Sequence, residues 1–353
     1  MASVMWEVRE GDSRDLLRAM PDASVDAIVC DPPYELGFMG KAWDASGIAY
    51  SVPLWTEALR VLKPGGHLLA FGGSRTFHRL AVAIEDAGFH IRDSLVWMYG
   101  SGFPKSLNVA KGGAGEAWSG WGTALKPAQE PIVMARKPLA GTIVETVLRY
   151  GTGAIDVDGC RIPHAGEVDF ARMALGGASY SATRLRRSGN PSIAMHKDSR
   201  DGHEQYEPSS LGRWPANVLL SHSEACGDGC AEGCPVAELG DFARFFYTAK
   251  PSARERDAGL GHLPTRAGVQ TARANVHPTV KPIELMRHLV RLVTPPGGLV
   301  LDPFTGSGTT GCAAVLEGAR FLGLELSPEY AEIARARIAH WAPTQAELWP
   351  AAE

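Results

Sequence analysis

No apolar run in this chain approaches the roughly 18 residues that a membrane-crossing helix requires. The stretch MASVMWEVREGD also lacks the apolar core of a signal peptide, so a cytoplasmic protein with no membrane partner is expected. Cysteine is scarce, six in 353 residues, which excludes a disulfide framework and suits reduced thiols. Charge of one sign is missing too, since 35 Lys and Arg stand against 39 Asp and Glu for a net charge of −4. Any contact with nucleic acid must therefore rest on a local basic surface. What remains, 45% apolar and 21% charged, is an ordinary globular composition. It is long enough for one large α/β domain with an insertion, or for two domains.

The first hundred residues alternate between strand and helix. Met5 to Val8 reads as a strand, Arg14 to Met20 as a helix opened by Gly11-Asp12, and Val25 to Cys30 as a buried strand. Residues 35 to 51 are Gly-rich and aromatic without periodicity and read as a mobile loop. Val52 to Leu62 is an amphipathic helix stopped by Lys63-Pro64-Gly65-Gly66. A strand over His67 to Phe71, a helix over Arg75 to Ala87 and strands over Phe89 to Trp97 follow. That alternation predicts a doubly wound sheet.

The strand Val25 to Cys30 delivers Asp31-Pro32-Pro33-Tyr34. Two prolines fix φ and remove two backbone donors, so this corner is stiff and rich in acceptors. A carboxylate, outward carbonyls and a ring suit a planar amine. Asp31 and the Pro32 carbonyl can accept its two N–H groups while Tyr34 stacks on the ring that carries it. Alone, a four-residue match fits a capped strand-to-loop turn equally well.

A second motif lies far downstream. Gly298 to Asp302 reads as a strand, followed by Pro303-Phe304-Thr305-Gly306-Ser307-Gly308, a helix from Gly311 to Glu317, and a strand ending at Glu325. Strand, Gly-x-Gly turn, helix, strand and acid form a nucleoside-binding half. Gly306, Gly308 and Gly311 meet the dinucleotide spacing, but the lysine of a phosphate-binding P-loop is absent. Asp302 beside the turn repels a pyrophosphate and can accept a hydrogen bond from the ammonium of an amino-acid-bearing nucleoside. That chemistry points to S-adenosylmethionine.

Taken together, Asp31-Pro32-Pro33-Tyr34 and Asp302-Pro303-Phe304-Thr305-Gly306-Ser307-Gly308 resemble the amino-DNA methyltransferases of the β permutation class. There the catalytic motif precedes the recognition region and the cofactor motif comes last. The resemblance covers roughly residues 6 to 98 and 277 to 340. It implies a circularly permuted, Rossmann-like α/β sheet dependent on S-adenosylmethionine, with a long irregular recognition insertion. Residues 1–98 would form the catalytic half, 99–275 the target-recognition insertion, 276–342 the cofactor half and 343–353 a tail.

His277-Pro278-Thr279-Val280-Lys281-Pro282 resembles the family's cofactor-side segment, which puts Thr279 and Lys281 with Asp12, Asp302, Pro303, Phe304, Gly306, Gly308 and Glu325 around the cofactor. Asp31, Pro32, Pro33 and Tyr34 are the catalytic candidates. The segments 100–106, 123–127 and 212–217 resemble members encoded by phages and prophages.

The expected reaction is methyl transfer to the N6 amine of adenine in double-stranded DNA. The alternatives are cytosine-N4 transfer and a DNA-binding relative without catalysis. Asp as first motif residue leans toward adenine within the family. Transfer to cytosine C5 would need a nucleophilic cysteine in a Pro-Cys setting; Cys234 instead precedes a proline, and Cys30 lies in a buried strand. A homodimer and a restriction endonuclease partner are left open.

From Tyr99 to about Asn275 the alternation breaks down, with brief strand signals at Pro131 to Ala135, Asn217 to Ser221 and Phe245 to Thr248. Basic residues cluster over Arg172 to Arg200 and over Arg244 to Arg273. Arg184, Arg186 and Arg187 are the candidate phosphate contacts, with a solvated loop face as the plain alternative. His222, Cys226, Cys230 and Cys234 recur every four positions and offer an imidazole and three thiols to a structural zinc. The uniform spacing is unusual for a finger and the glycines at 227, 229 and 233 oppose a regular helix, so metal-free thiols are expected there.

Overall fold

The computed structural model describes residues 5–343 apart from 38–41, 101, 103–105, 165–209, 223–225, 227–228, 233, 250–252 and 268–271. In chain order the strands are β1 (Trp6–Glu10), β2 (Val25–Cys30), β3 (Leu62–Phe71), β4 (His90–Met98), β5 (Gln129–Arg136), β6 (Val218–Ser221) and β7 (Tyr247–Ala249). A two-stranded hairpin, β8 (Arg266–Ala267) and β9 (Ala272–Arg273), precedes β10 (Leu299–Asp302) and β11 (Arg320–Glu325). Apart from the hairpin they form one nine-stranded sheet of order β1-β11-β10-β2-β3-β5-β4-β6-β7. From β1 to β3 every pair is parallel, β5 is antiparallel to both neighbours, and β4, β6 and β7 pair in parallel.

The central strands are buried on both faces, as a parallel sheet covered by helices must be. All six residues of β2 are buried: Ala27 and Val29 enter one core while Ile28 and Cys30 enter the other. On the second face pack α1 (Ser13–Arg18), α2 (Val52–Val61) and α3 (Phe77–Asp86). Helix α2 begins where the Ser51 hydroxyl accepts from the Leu54 N–H at 3.4 Å, with a proline in its first turn. Further along come α4 (Ile143–Tyr150), α5 (Pro235–Glu238) and α6 (Ala253–Asp257). The first face is covered by α7 (Ile283–Val293), α8 (Thr309–Leu316) and α9 (Pro328–Trp341). In α7, Ile283, Met286, Leu289, Val290 and Val293 are buried at helical spacing, each such side chain stabilising by roughly 1.5–3 kcal/mol. Among the described residues no helix is long and apolar enough to cross a membrane.

The order of strands reverses between β10 and β2. From β10 the chain proceeds outward to β11, and from β2 it proceeds the other way to β3. Such a switch point opens a crevice at the carboxyl ends of the strands. Here that edge carries Asp302 at the end of β10 and Asp31 just past the end of β2.

Residues 99–275, read as an insertion, supply three strands of this sheet. Strand β5 lies between β3 and β4, and β6 and β7 extend the edge. The loop expected over 35 to 51 carries two 3-10 turns, Ala42–Ala45 and Ile48–Tyr50. Two carboxylates organise it: Asp44 accepts from the Glu35 and Leu36 N–H groups, and Glu35 accepts from those of Gly47 and Ala49.

Candidate active site

The Asp31-Pro32-Pro33-Tyr34 corner is held from both sides. Glu35, with φ of 54°, turns the chain sharply away after Tyr34, a left-handed conformation costing a non-glycine residue roughly 1 kcal/mol. The Thr76 hydroxyl donates to the Tyr34 carbonyl at 2.8 Å. Gly73 lies so close behind that a Cβ there would meet the Tyr34 Cβ at 3.3 Å.

Asp31 Oδ2 receives the Lys281 ammonium at 2.6 Å, whereas Asp31 Oδ1 is buried and has no hydrogen-bond partner. Lys281 Nζ also donates to the Tyr34 hydroxyl at 3.2 Å and lies 3.3 Å from Glu130 Oε2. Tyr34 in turn donates to Glu130 Oε2 at 2.7 Å. Burial alone would lower the Lys281 pKa, but Asp31 and Glu130 outweigh it and hold the ammonium above its ordinary value. Burial, then the same two carboxylates, pushes the Tyr34 phenol well above 10. An aromatic wall completes the pocket. Lys281 Nζ lies 4.8 Å from the Phe71 ring centroid, 5.3 Å from that of Tyr34 and 6.0 Å from that of Trp97. Tyr99 packs on Trp97 at 4.7 Å.

Two carboxylates face one ammonium, so the pocket carries a net negative charge. An orphaned buried acceptor beside aromatic rings fits a planar amine donor, since it offers Asp31 Oδ1 the bond it lacks.

Across the switch point, the Gly-rich turn is built from carboxylates and close backbone. Gly306 and Gly308 have φ of 53° and 79°, and a Cβ on Gly306 would stand 2.8 Å from His277 Nε2. Asp302 accepts from the Thr310 hydroxyl at 2.6 Å and from the Phe304 N–H at 3.0 Å. Burial raises its pKa to about 7, with Asp31 and Glu325 adding to the rise. Glu325 accepts from the N–H groups of Gly306 at 2.7 Å and Ser327 at 2.8 Å, and burial raises its pKa as well. Each carboxylate oxygen keeps a second lone pair for a ligand donor. Pro303, whose carbonyl accepts from Ser13, ties the turn to α1.

Asp12 caps α1 and is paired with Arg14 at 2.6 Å, and Thr279 is exposed, its carbonyl bonded to His277 Nδ1 at 2.7 Å. Lys281, grouped with the cofactor residues by the sequence, stands against Asp31 across from the Gly-rich turn. Arg184, Arg186 and Arg187 lie outside the described residues.

Two residues of the candidate site escape the sequence reading. Glu130 is the second residue of β5, and because β5 runs antiparallel, its first residues reach the edge where β2 and β10 end. An acid immediately before a strand signal was the available clue. Arg337 is fully buried under the glycine turn, where it donates to the Ser307 carbonyl at 2.6 Å and to the Thr309 hydroxyl at 3.1 Å.

The sequence profile of a family described as DNA methylase matches residues 25–336. The type II methyltransferase M2.DpnII of Streptococcus pneumoniae is 46% identical over 65 residues, covering 18% of this chain and 24% of that protein. The DNA adenine methyltransferase YhdJ of Escherichia coli K12 is 42% identical over 62 residues, covering 18% of this chain and 21% of that protein. The chain therefore matches less than a quarter of the length of either curated relative. Among solved structures, the cytosine-N4-specific PvuII DNA methyltransferase is 17% identical with a TM-score of 0.52, over 95% of this chain and 86% of that one. That likeness establishes a shared fold.

Proposed function

Since this chain belongs to the DNA methylase family, we propose that it moves the methyl group of S-adenosylmethionine onto the exocyclic N6 amine of adenine in double-stranded DNA. The observation that carries this reading is the unpartnered, buried Asp31 Oδ1 at the switch point, one strand away from the Asp302–Glu325 turn. The choice of adenine is supported by the name of the Escherichia coli relative and by Asp as the first residue of the motif.

Asp302, Glu325, Asp12, Phe304 and the turn at Gly306 and Gly308 would hold the cofactor. Their carboxylates suit the ammonium and hydroxyl donors of an amino-acid-bearing nucleoside and disfavour a pyrophosphate. When bound, S-adenosylmethionine supplies an electrophilic methyl group on a sulfonium.

An aromatic amine is a weak nucleophile because its lone pair is delocalised into the ring. Asp31 Oδ1 and the Pro32 carbonyl, accepting its N–H groups, favour a pyramidal nitrogen with the lone pair freed. As the new N–C bond forms and the sulfonium's bond to the methyl breaks to leave a neutral thioether, positive charge grows on nitrogen beside a pocket of net negative charge, which lowers the barrier electrostatically. The surplus proton then has Asp31 Oδ1 as a ready acceptor. The base must leave the duplex to reach this depth, and Tyr34, its hydroxyl fixed on Glu130, is the stacking surface. Target recognition falls to the parts of 99–275 that do not build the sheet. A DNA substrate and reduced thiols favour a cytoplasmic location.

The test is transfer of labelled methyl from S-adenosylmethionine to unmethylated genomic DNA, with nucleoside analysis of the digest. N6-methyladenine is expected. N4-methylcytosine would keep the chemistry and overturn the choice of base. An unlabelled digest from protein that still binds the cofactor would favour the inactive DNA-binding relative.

A further inference from the structure

At the β6 edge of the sheet, remote in sequence from both motifs, His222, Cys226, Cys230 and Cys234 converge. One ligand atom from each lies within 4.8 Å of all the others. We propose that these four residues form a closed structural zinc site.

The distances favour a shared ion over a set of thiol hydrogen bonds. His222 Nδ1 stands 3.4 Å from Cys230 Sγ and 3.5 Å from Cys234 Sγ. Zinc bonds of about 2.3 Å to sulfur and 2.0–2.1 Å to nitrogen at a tetrahedral angle place N and S about 3.5 Å apart. A neutral imidazole nitrogen has one lone pair, so two thiols cannot both donate well to it, whereas two thiolates and that nitrogen can share one cation. Cys226 Sγ accepts from the Ala231 N–H at 3.2 Å, the kind of bond that steadies a metal-bound thiolate.

The local chain suits the task. Each pair of consecutive cysteines is separated by three residues, within the two to four found in zinc sites. The described residues between Cys226 and Cys234 form no helix, so the four ligands need not share a helical face. His222 follows β6 directly and its N–H donates to the Ala249 carbonyl of β7 at 3.1 Å. Cys234 is fully buried and precedes α5, its carbonyl accepting from the Glu238 N–H at 3.0 Å. Four protein ligands leave no open position, so the site is structural and holds no reacting group.

What it steadies is specific. Ser221, the residue before His222, accepts from Trp97 Nε1 at 2.8 Å, and Trp97 belongs to the aromatic wall of the amine pocket. The zinc clip therefore fixes the strand that orients that wall. It rests on residues outside the methyl-transfer machinery and stands or falls independently of that reading.

The experiment is elemental analysis of the full chain purified under reducing conditions, followed by cobalt titration of chelator-stripped protein. About one zinc per chain is expected, with cobalt giving the intense visible d–d bands and sulfur charge-transfer absorption of a tetrahedral thiolate site. Cys230→Ser, at an exposed ligand, should lose the bound zinc, while Cys160→Ser, at a buried thiol elsewhere, should keep it. Wild-type protein with no zinc and no cobalt spectrum would overturn the proposal, as would a disulfide among these cysteines or retention of zinc by Cys230→Ser.

Discussion

Lys281 and Asp31, 250 positions apart in sequence, meet at 2.6 Å inside a single pocket. One comes from the segment before α7 and the other from the end of β2, so the ion pair joins distant parts of the chain beside the switch point. It leaves one oxygen of Asp31 without a partner.

Replacing Asp31 with Ala removes the amine acceptor but none of the contacts within the Asp302–Glu325 turn. Methyl transfer should fall by about 10²–10³-fold or more, as when a transition-state electrostatic partner is removed. Cofactor affinity, measured by calorimetry, should largely survive. Loss of both in a folded variant would reassign Asp31 to the cofactor pocket.

Lys281→Met takes away the one cation between Asp31 and Glu130. Two carboxylates left without it repel each other, and Asp31 loses the donor that fixes its Oδ2. Methyl transfer should fall while cofactor affinity, measured by calorimetry, is kept, and an unchanged kcat would show that Lys281 does not position Asp31.

The sequence made most of the scaffold legible. The helix over 283–293 and the strands over 25–30 and 299–302 were readable because buried β-branched runs and amphipathic spacing carry local signals. The brief strands near 131, 217 and 247 were readable too, but their place in the sheet was not. Nothing local in Pro131 to Ala135 says that it runs antiparallel between two strands formed earlier in the chain. With that placement hidden, nothing in the sequence marked Glu130 as part of the site. Arg337 was hidden for another reason: a charged residue in a helix reads as surface, and its burial is tolerable because it donates to the Ser307 carbonyl and hydroxyl, the Thr309 hydroxyl and the Glu255 carbonyl.

Stability should decline on mild acidification. Burial, with nearby arginines, lowers the pKa of His67 and of His288 to about 4, against 6.5 in the unfolded chain. Between those values the unfolded state binds more protons, so each histidine withdraws up to roughly 3 kcal/mol as pH falls through 6.5 toward 4. Asp302 acts in the opposite sense, since its contribution is full below 3.8 and is lost as pH rises through about 7. The two histidines outweigh it. Denaturant midpoints at pH 7 and pH 5 should differ accordingly, and a His288→Asn variant should narrow the difference.

The Arg184, Arg186 and Arg187 cluster is proposed to touch phosphates. Exchanging all three for Ala should weaken DNA binding and reduce the slope of log affinity against log salt by about one per lost contact. An unchanged slope would return these residues to the solvent.

Strand order also dictates a timetable for folding. Strand β1 pairs with β11, and β2 pairs with β10 on one side. Neither partnership can form until the long stretch of chain between the two partners has been made. Until then the apolar β2 and the acid it presents stand at an unfinished sheet edge, open to wrong pairing. High contact order slows such folding. A chain cut short before β10 would hold Asp31 and Tyr34 but no Gly-rich turn and a bare central edge, making it a substrate for chaperones and proteases.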